Sequence, residues 1–296
     1  MTTPQTILKQ YFGYDSFRPQ QEEIITTLLS CQDVMVLMPT GGGKSLCYQI
    51  PAMMKSWVTI VISPLIALMY DQVEALKANG INAVCLNSSQ KISEQTSVLR
   101  QVESGEVKML YISPEKLFSD NILTWISTID VAFFAVDEAH CISSWGHEFR
   151  SEYRKLGNLK SHFPSLPIIA LTATADATTR RDILSQLSIP DAPVFLSSFD
   201  RPNLSLTVLP GRKRIEQIED FLSRHRGESW IIYCLSRKSC ESVSEALERK
   251  WYKSAYYHAG MPSGERMIIQ DAFLKDDIEI IVATVAFGMG IDKSNV

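Results

Sequence analysis

Short runs that are apolar at nearly every position alternate along this chain with longer stretches of helical period. The strand-like runs fall at 34–37, 58–62, 83–86, 108–112, 131–136, 168–171 and 194–196, and a second series falls at 230–233, 255–257 and 278–282. A run without polar alternation suits a strand covered on both faces, as in a parallel sheet between helical layers. Helical period marks 20–29, 65–79 and 237–251. Strand and helix alternating at this pitch predict an α/β fold.

The pattern breaks once. Residues 197–210, SSFDRPNLSLTVLP, hold two prolines and little helical period. This stretch reads as a crossing between two lobes, predicted at 1–204 and 205–296. Seven strands would belong to the first lobe and three to the second. The closing residues, GMGIDKSNV, offer neither a helix cap nor a closing strand. An incomplete second lobe is the expectation.

Composition adds bounds. With 296 residues, 45% hydrophobic and 21% charged, the chain is long enough for two cores. No apolar run reaches the roughly 18 residues of a membrane span, and the N-terminus lacks a secretory pattern, so a cytoplasmic protein without a membrane partner is expected. Six cysteines without a CxxC pair argue for reduced thiols and against structural zinc within this chain. Net charge is −4, so any nucleic acid must meet local basic clusters and not a wholly basic surface. Residues 205–296 hold 13 basic and 13 acidic side chains, against 16 and 20 before them.

The chemistry begins at Met38-Pro-Thr-Gly-Gly-Gly-Lys-Ser45, directly after the run 34–37. Successive glycines let backbone N–H groups turn inward around an anion, and a following helix start adds partial positive charge. Thr40, Gly41, Gly42 and Gly43 would cradle phosphates of ATP. Lys44 would reach the β- and γ-phosphates, and Ser45 would offer its hydroxyl to Mg²⁺. The strict pattern wants glycine where Met38 stands. A glycine-rich turn without a ligand is the competing explanation until the next motif is added.

That motif is Asp137-Glu138-Ala139-His140, at the end of the run 131–136. Carboxylates at the C-terminal end of a strand sit where α/β sheets bind ligands. Asp137 is placed to hold the Mg²⁺ shell, and Glu138 to orient and deprotonate an attacking water. Together the two motifs predict ATP hydrolysis on a P-loop NTPase fold.

Gly-Gly-Gly-Lys-Ser with Asp-Glu-Ala-His resembles the superfamily 2 helicases, whose motor has two RecA-like lobes, and three further segments resemble the RecQ family. The first, residues 8–24 (LKQYFGYDSFRPQQEEI), resembles the RecQ adenine-gripping motif. By position the resemblance assigns Tyr14 and Arg18 to the nucleotide and Gln21 to the adenine edge. The family usually has glycine where Gln20 stands. The second, residues 141–153 (CISSWGHEFRSEY), resembles the family's aromatic-rich loop, which implies that Trp145, His147, Phe149 and Arg150 couple DNA to the ATP site. The third, Leu171-Thr-Ala-Thr-Ala175, implies that Thr172 and Thr174 hydrogen-bond the acidic motif or the DNA backbone.

The resemblance also implies DNA-backbone contacts from Ser63, at a presumed helix start, from Ser113-Pro-Glu-Lys116, and from Thr284 in the second lobe. Asp292 would face the nucleotide. His258 reads as a satisfied polar residue at a strand end, and residues 211–214 (GRKR) as a solvated turn. The implied activity is ATP-dependent unwinding of DNA, 3′ to 5′, in repair and recombination. The family's next motif, with arginines that reach the γ-phosphate, lies beyond residue 296. The chain as given is therefore expected to bind nucleotide and to turn it over slowly. Two other readings predict differently: an RNA helicase would lack the aromatic loop, and a non-catalytic nucleic-acid-binding module would have no need of Lys44, Ser45, Asp137 and Glu138.

Overall fold

The computed structural model describes residues 3–119, 121–143, 151–198 and 204–284, together with 287, 293, 295 and 296. Among these residues ten strands form two sheets, divided between a compact unit over 1–203 and another over 204–296.

The first sheet has seven strands: β1 (Val34–Leu37), β2 (Val58–Ile62), β3 (Ala83–Leu86), β4 (Met109–Ile112), β5 (Val131–Val136), β6 (Ile168–Thr172) and β7 (Val194–Leu196). They run in the order β3-β4-β2-β5-β6-β1-β7, and every pairing is parallel. Successive residues of one strand enter opposite cores. Ile60 and Ile62 pack into one cluster and Val61 into the other, while Met35 faces away from Val34 and Val36. That two-sided burial is why these strands read as unbroken apolar runs. β7 is the exception, with Val194 and Leu196 exposed. It stands at the sheet edge, where one flank has no neighbouring strand among the described residues.

The second sheet has β8 (Trp230–Tyr233), β9 (Ser254–Tyr257) and β10 (Ile280–Ala283) in the parallel order β8-β10-β9. Central β10 is fully buried, whereas β8 ends in an exposed Tyr233. β10 begins two residues later than its apolar run suggests, at Ile280, where the N–H groups of Glu279 and Ile280 share the carbonyl of Lys253. The helix expected over 237–251 ends at Glu248, and Trp251 adopts a left-handed φ of 69°. Residues 204–210 have no regular structure and are exposed. No helix among the described residues is long and apolar enough to cross a membrane.

All strands of the first sheet point the same way, so their C-terminal ends share one rim. The glycine loop 38–45, the acidic motif 137–140 and the turn 172–174 lie along it.

Candidate nucleotide-binding and catalytic site

β1 delivers the chain into the loop 38–45 through a fully buried Met38. Gly41 and Gly43 have φ of 75° and 83°, a region that side chains resist. At Gly42 a Cβ would lie 2.8 Å from the Pro39 carbonyl oxygen. The glycines are thus required by the loop's own path. The helix Leu46–Met54 starts immediately after Ser45, which gives the loop a helix N-terminus. Met38 N–H donates to the Thr172 carbonyl at 3.2 Å, tying the loop to the end of β6.

Lys44 folds back into this loop, donating from Nζ to the carbonyls of Met38 at 3.1 Å and Pro39 at 3.4 Å. Burial lowers its pKa, against the opposing pull of Glu138 and Asp137. A cation held in a carbonyl cradle and drawn by two carboxylates is suited to an incoming polyphosphate, which would replace weak acceptors by charged ones.

The residues 14–21 reach this loop from outside. Gln21 is buried; it accepts from the Arg18 N–H at 2.9 Å and donates to the Gly43 carbonyl at 3.0 Å. Arg18 donates from its guanidinium to the Gly41 carbonyl. Tyr14 is half exposed. The Gln21 amide is thus engaged with protein, with one N–H and one lone pair left over. Gln20 takes a left-handed φ of 68°, the backbone reason for a glycine preference at this position. Its side chain is not idle: Oε1 accepts from Ser197 Oγ at 2.9 Å.

At the end of β5, Asp137 N–H donates to Ile62 O, and the Glu138 N–H donates to Asp137 Oδ1 at 3.0 Å. Burial first, and the neighbouring Glu138 carboxylate second, push Asp137 up to about 6. Glu138 has a left-handed φ of 47°, a strained placement at a strand end. Although burial opposes it, the hydrogen bond and charge of His140 and the charge of Lys44 hold Glu138 below the usual carboxylate range. His140 Nδ1 lies 3.2 Å from Glu138 Oε2 and 2.8 Å from Thr172 Oγ1. Burial pulls its pKa down, but the contacts with Cys141 and Glu138 outweigh that and raise it to about 10.

Thr172 is fully buried, and its Oγ1 also accepts from Thr174 N–H at 3.2 Å while donating to the Thr174 carbonyl. With its hydroxyl proton spent there, Thr172 accepts from His140. The acidic motif and the Thr172–Thr174 turn are one hydrogen-bonded unit. Two partners carry no signal in the sequence: Tyr153, whose hydroxyl donates to the Asp137 carbonyl at 2.9 Å, and Ser197 against Gln20.

Other expectations fare differently. Trp145, His147, Phe149, Arg150 and Asp292 lie outside the described residues. Ser63 is not at a helix start. It is 2% exposed, its Oγ has no partner among the described residues, and the helix Ile66–Ala78 begins three residues later behind Leu65. Ser63 directly follows β2 instead, with its N–H donated to Ile112 O, and its hydroxyl is buried. Ser113 does cap a helical turn, accepting from Lys116 N–H. In the second unit Thr284 follows β10 and donates its N–H to Tyr257 O. His258 is only half satisfied: Nε2 meets Glu241 at 3.1 Å, while Nδ1 is buried without a partner among the described residues. Residues 211–214 are exposed, as a solvated turn requires.

Comparison with known proteins decides the family. The description "DEAD/DEAH box helicase" matches residues 18–183, and "Helicase conserved C-terminal domain" matches 213–296. The ATP-dependent DNA helicase RecQ of Haemophilus influenzae is 51% identical over 294 residues, covering 99% of this chain and 48% of its own length. The chain belongs to the RecQ family of DEAD/DEAH box helicases. The RecQ of Pasteurella multocida is likewise 51% identical over 290 residues, 98% of this chain and 46% of the relative. The chain thus spans about half the length of the curated relatives it matches. The structure of Mycobacterium smegmatis helicase Lhr bound to ssDNA and AMP-PNP superposes with a TM-score of 0.72, covering 98% of this chain and 42% of the other at 18% identity, a likeness of fold. For a RecQ-type motor, two parallel-sheet units in series are the expected RecA-like architecture, and the DEAH tetrad of the family is residues 137–140 here.

Proposed function

We propose that this chain is the ATP-hydrolysing motor of a DNA helicase, and that in the whole protein it drives 3′ to 5′ unwinding in DNA repair and recombination, in the cytoplasm. The observation that carries the proposal is the convergence of Lys44, Asp137, Glu138 and His140 at the ends of β1 and β5. Lys44 feels both carboxylates, and His140 clamps one of them.

Each residue has a distinct part. Thr40 and the N–H groups of Gly41, Gly42 and Gly43 surround the phosphates, and Lys44 leaves its carbonyl cradle for the β- and γ-phosphates. Tyr14 stacks on adenine, Arg18 holds the loop at Gly41, and Gln21 reads the adenine edge with its spare N–H and lone pair. Glu138 orients a water and takes its proton. The positive charge of His140 keeps Glu138 ionised and ready to accept that proton.

Asp137 and Ser45 suit Mg²⁺. A buried carboxylate beside a second carboxylate is stabilised by a cation, and Mg²⁺ characteristically takes one or two protein oxygens with phosphates and waters completing its shell. When bound, Mg²⁺ would neutralise charge on the β- and γ-phosphates.

DNA is proposed to meet the chain through Trp145, His147, Phe149, Arg150, Ser113 and Thr284, with Thr172 and Thr174 transmitting between DNA and Glu138. Ser63 would need to turn outward to take part. Asp292 is proposed to contact the nucleotide. The test is ATP turnover with and without single-stranded DNA, in the parent and in Glu138→Gln. DNA-stimulated turnover lost in the variant supports the proposal. Turnover retained by Glu138→Gln refutes the assigned base.

A further inference from the structure

The helix Leu46–Met54, which follows the glycine loop, sends two polar side chains into an otherwise apolar core. Tyr48 and Gln49 are both buried. Tyr48 OH lies 3.2 Å from Tyr111 OH of β4, and the two rings pack in one cluster. Gln49 Nε2 donates to Tyr111 OH at 3.4 Å and to Gln72 Oε1 at 3.1 Å, so both of its N–H groups are used. Phenylalanine at 48 and 111 would fill the same space without burying two hydroxyls. The hydroxyls therefore call for a reason.

The network has a direction. Gln49 Nε2 can only donate, so Tyr111 accepts from it. Burial pushes Tyr111 up to about 12, and the bonds from Tyr48 and Gln49 pull against it. Burial, then Tyr111 and the Asp137 charge, raise Tyr48 well above the ordinary phenol value, so Tyr48 keeps its one proton and gives it to Tyr111. Its oxygen is left to receive. The side chain that reaches it is Ser45, whose hydrogen bond is the one influence pulling the Tyr48 phenol down. Ser45 stands three residues before Tyr48 on the same helix face, and its carbonyl accepts from Tyr48 N–H at 3.2 Å. Ser45 makes no side-chain capping bond, so its hydroxyl is not drawn to the helix backbone.

We infer that Tyr48 is a positioning residue for the metal site: it takes the Ser45 hydroxyl proton and leaves the Ser45 lone pairs to Mg²⁺. A hydroxyl that ligates a cation must turn its proton away, and one that rotates freely presents that proton part of the time. Tyr111 and Gln49 act one step further out. With the Tyr48 proton committed to Tyr111, Tyr48 can only receive from Ser45. A Tyr48 that donated to Ser45 would occupy a lone pair the cation needs. The inference rests on the reading that Ser45 holds Mg²⁺, and it supplies the residues that orient Ser45 for that task.

The test is calorimetric titration with a non-hydrolysable ATP analogue, once in excess Mg²⁺ and once in chelator. The chains compared are the parent, Tyr48→Phe, Tyr111→Phe, Ser45→Ala and the double variant Ser45→Ala/Tyr48→Phe. Tyr48→Phe should weaken binding about fivefold in Mg²⁺, the worth of one hydrogen bond, and leave binding in chelator unchanged, which also reports an intact core. Tyr111→Phe keeps the phenol at 48 but frees its proton, and should give the same loss in Mg²⁺ alone. In the Ser45→Ala background Tyr48→Phe should change nothing further. Undiminished binding by Tyr48→Phe in Mg²⁺, equal weakening in both media, or a further loss on top of Ser45→Ala overturns the role of Tyr48. A Ser45→Ala chain that binds like the parent in Mg²⁺ overturns the assignment of Ser45 to the metal as well.

Discussion

The Gln21 side-chain amide donates to the carbonyl of Gly43 at 3.0 Å, joining the N-terminal segment 14–21 to the glycine loop through one part-buried hydrogen bond. A methyl group added to Gly43 would collide with that same amide nitrogen, and the φ of 83° would strain any side chain there. Gly43→Ala is therefore expected to weaken ATP binding about tenfold or more, since left-handed backbone alone costs ~1–2 kcal/mol. Gln21→Ala should weaken it too, without the backbone strain. Calorimetric titration with a non-hydrolysable ATP analogue measures both. Undiminished affinity in Gly43→Ala would show that the loop does not need its observed path.

Glu138→Gln keeps shape and removes the proton acceptor. Turnover should fall by about 100-fold or more, the usual worth of a general base, while analogue affinity changes little. A parallel loss of affinity would instead place Glu138 in phosphate binding.

Asp137 is raised to about 6 in the absence of a divalent cation. Between the ordinary aspartate value and 6, the folded chain then holds a proton that the unfolded chain releases. Stability contributed by the protonated form is lost as pH rises through that window. Asp137→Asn should remove this loss, melting above the parent at pH 7.5 and near it at pH 4.5, while Mg²⁺-dependent hydrolysis disappears. Thermal unfolding in chelator at the two pH values checks the sign.

The His140 charge stabilises the fold where the Asp137 charge costs it, although both contributions fall as pH rises. With its pKa raised to about 10, the stabilisation is complete below the ordinary histidine value and is lost as pH climbs through 10. Thr172→Val deletes one acceptor of His140 and leaves Thr174 N–H without its partner. A loss of about 1–3 kcal/mol is expected. Denaturant unfolding at pH 7 gives the number, and NMR of the His140 ring should show it still protonated at pH 8 in the parent.

Gln20 sets two small effects against each other. Its left-handed φ costs ~1–2 kcal/mol, and its hydrogen bond to Ser197 returns ~1 kcal/mol. Gln20→Gly should therefore change stability little in the parent but raise it by about 1 kcal/mol in a Ser197→Ala background. A double-mutant cycle by urea unfolding resolves the two contributions.

Much of the first unit was legible because two-sided burial leaves a plain trace. Strands β1 to β6 are apolar at every step but Thr59 and Thr172, as their two cores demand, and the glycine loop and acidic motif follow their strands without a gap. Legibility failed where the deciding interaction came from elsewhere in the chain. The start of β10 is set by Lys253, and the end of the helix Arg237–Glu248 by a left-handed Trp251. Ser63 is expected at a helix start, where its hydroxyl would meet phosphate. Its N–H is instead taken by Ile112 of a neighbouring strand, three residues before the helix begins.

By itself the sequence determined the α/β class, the order of the motifs and the chemistry that they carry, because residue type and spacing suffice for a glycine loop and a pair of carboxylates. Only the tertiary structure decided who holds whom. That Gln21 meets Gly43 and that His140 stands between Glu138 and Thr172 depend on strands far apart in sequence ending on one rim. Local pattern encodes burial, whereas these contacts are set by the lateral order β3-β4-β2-β5-β6-β1, which emerges only when the whole sheet assembles.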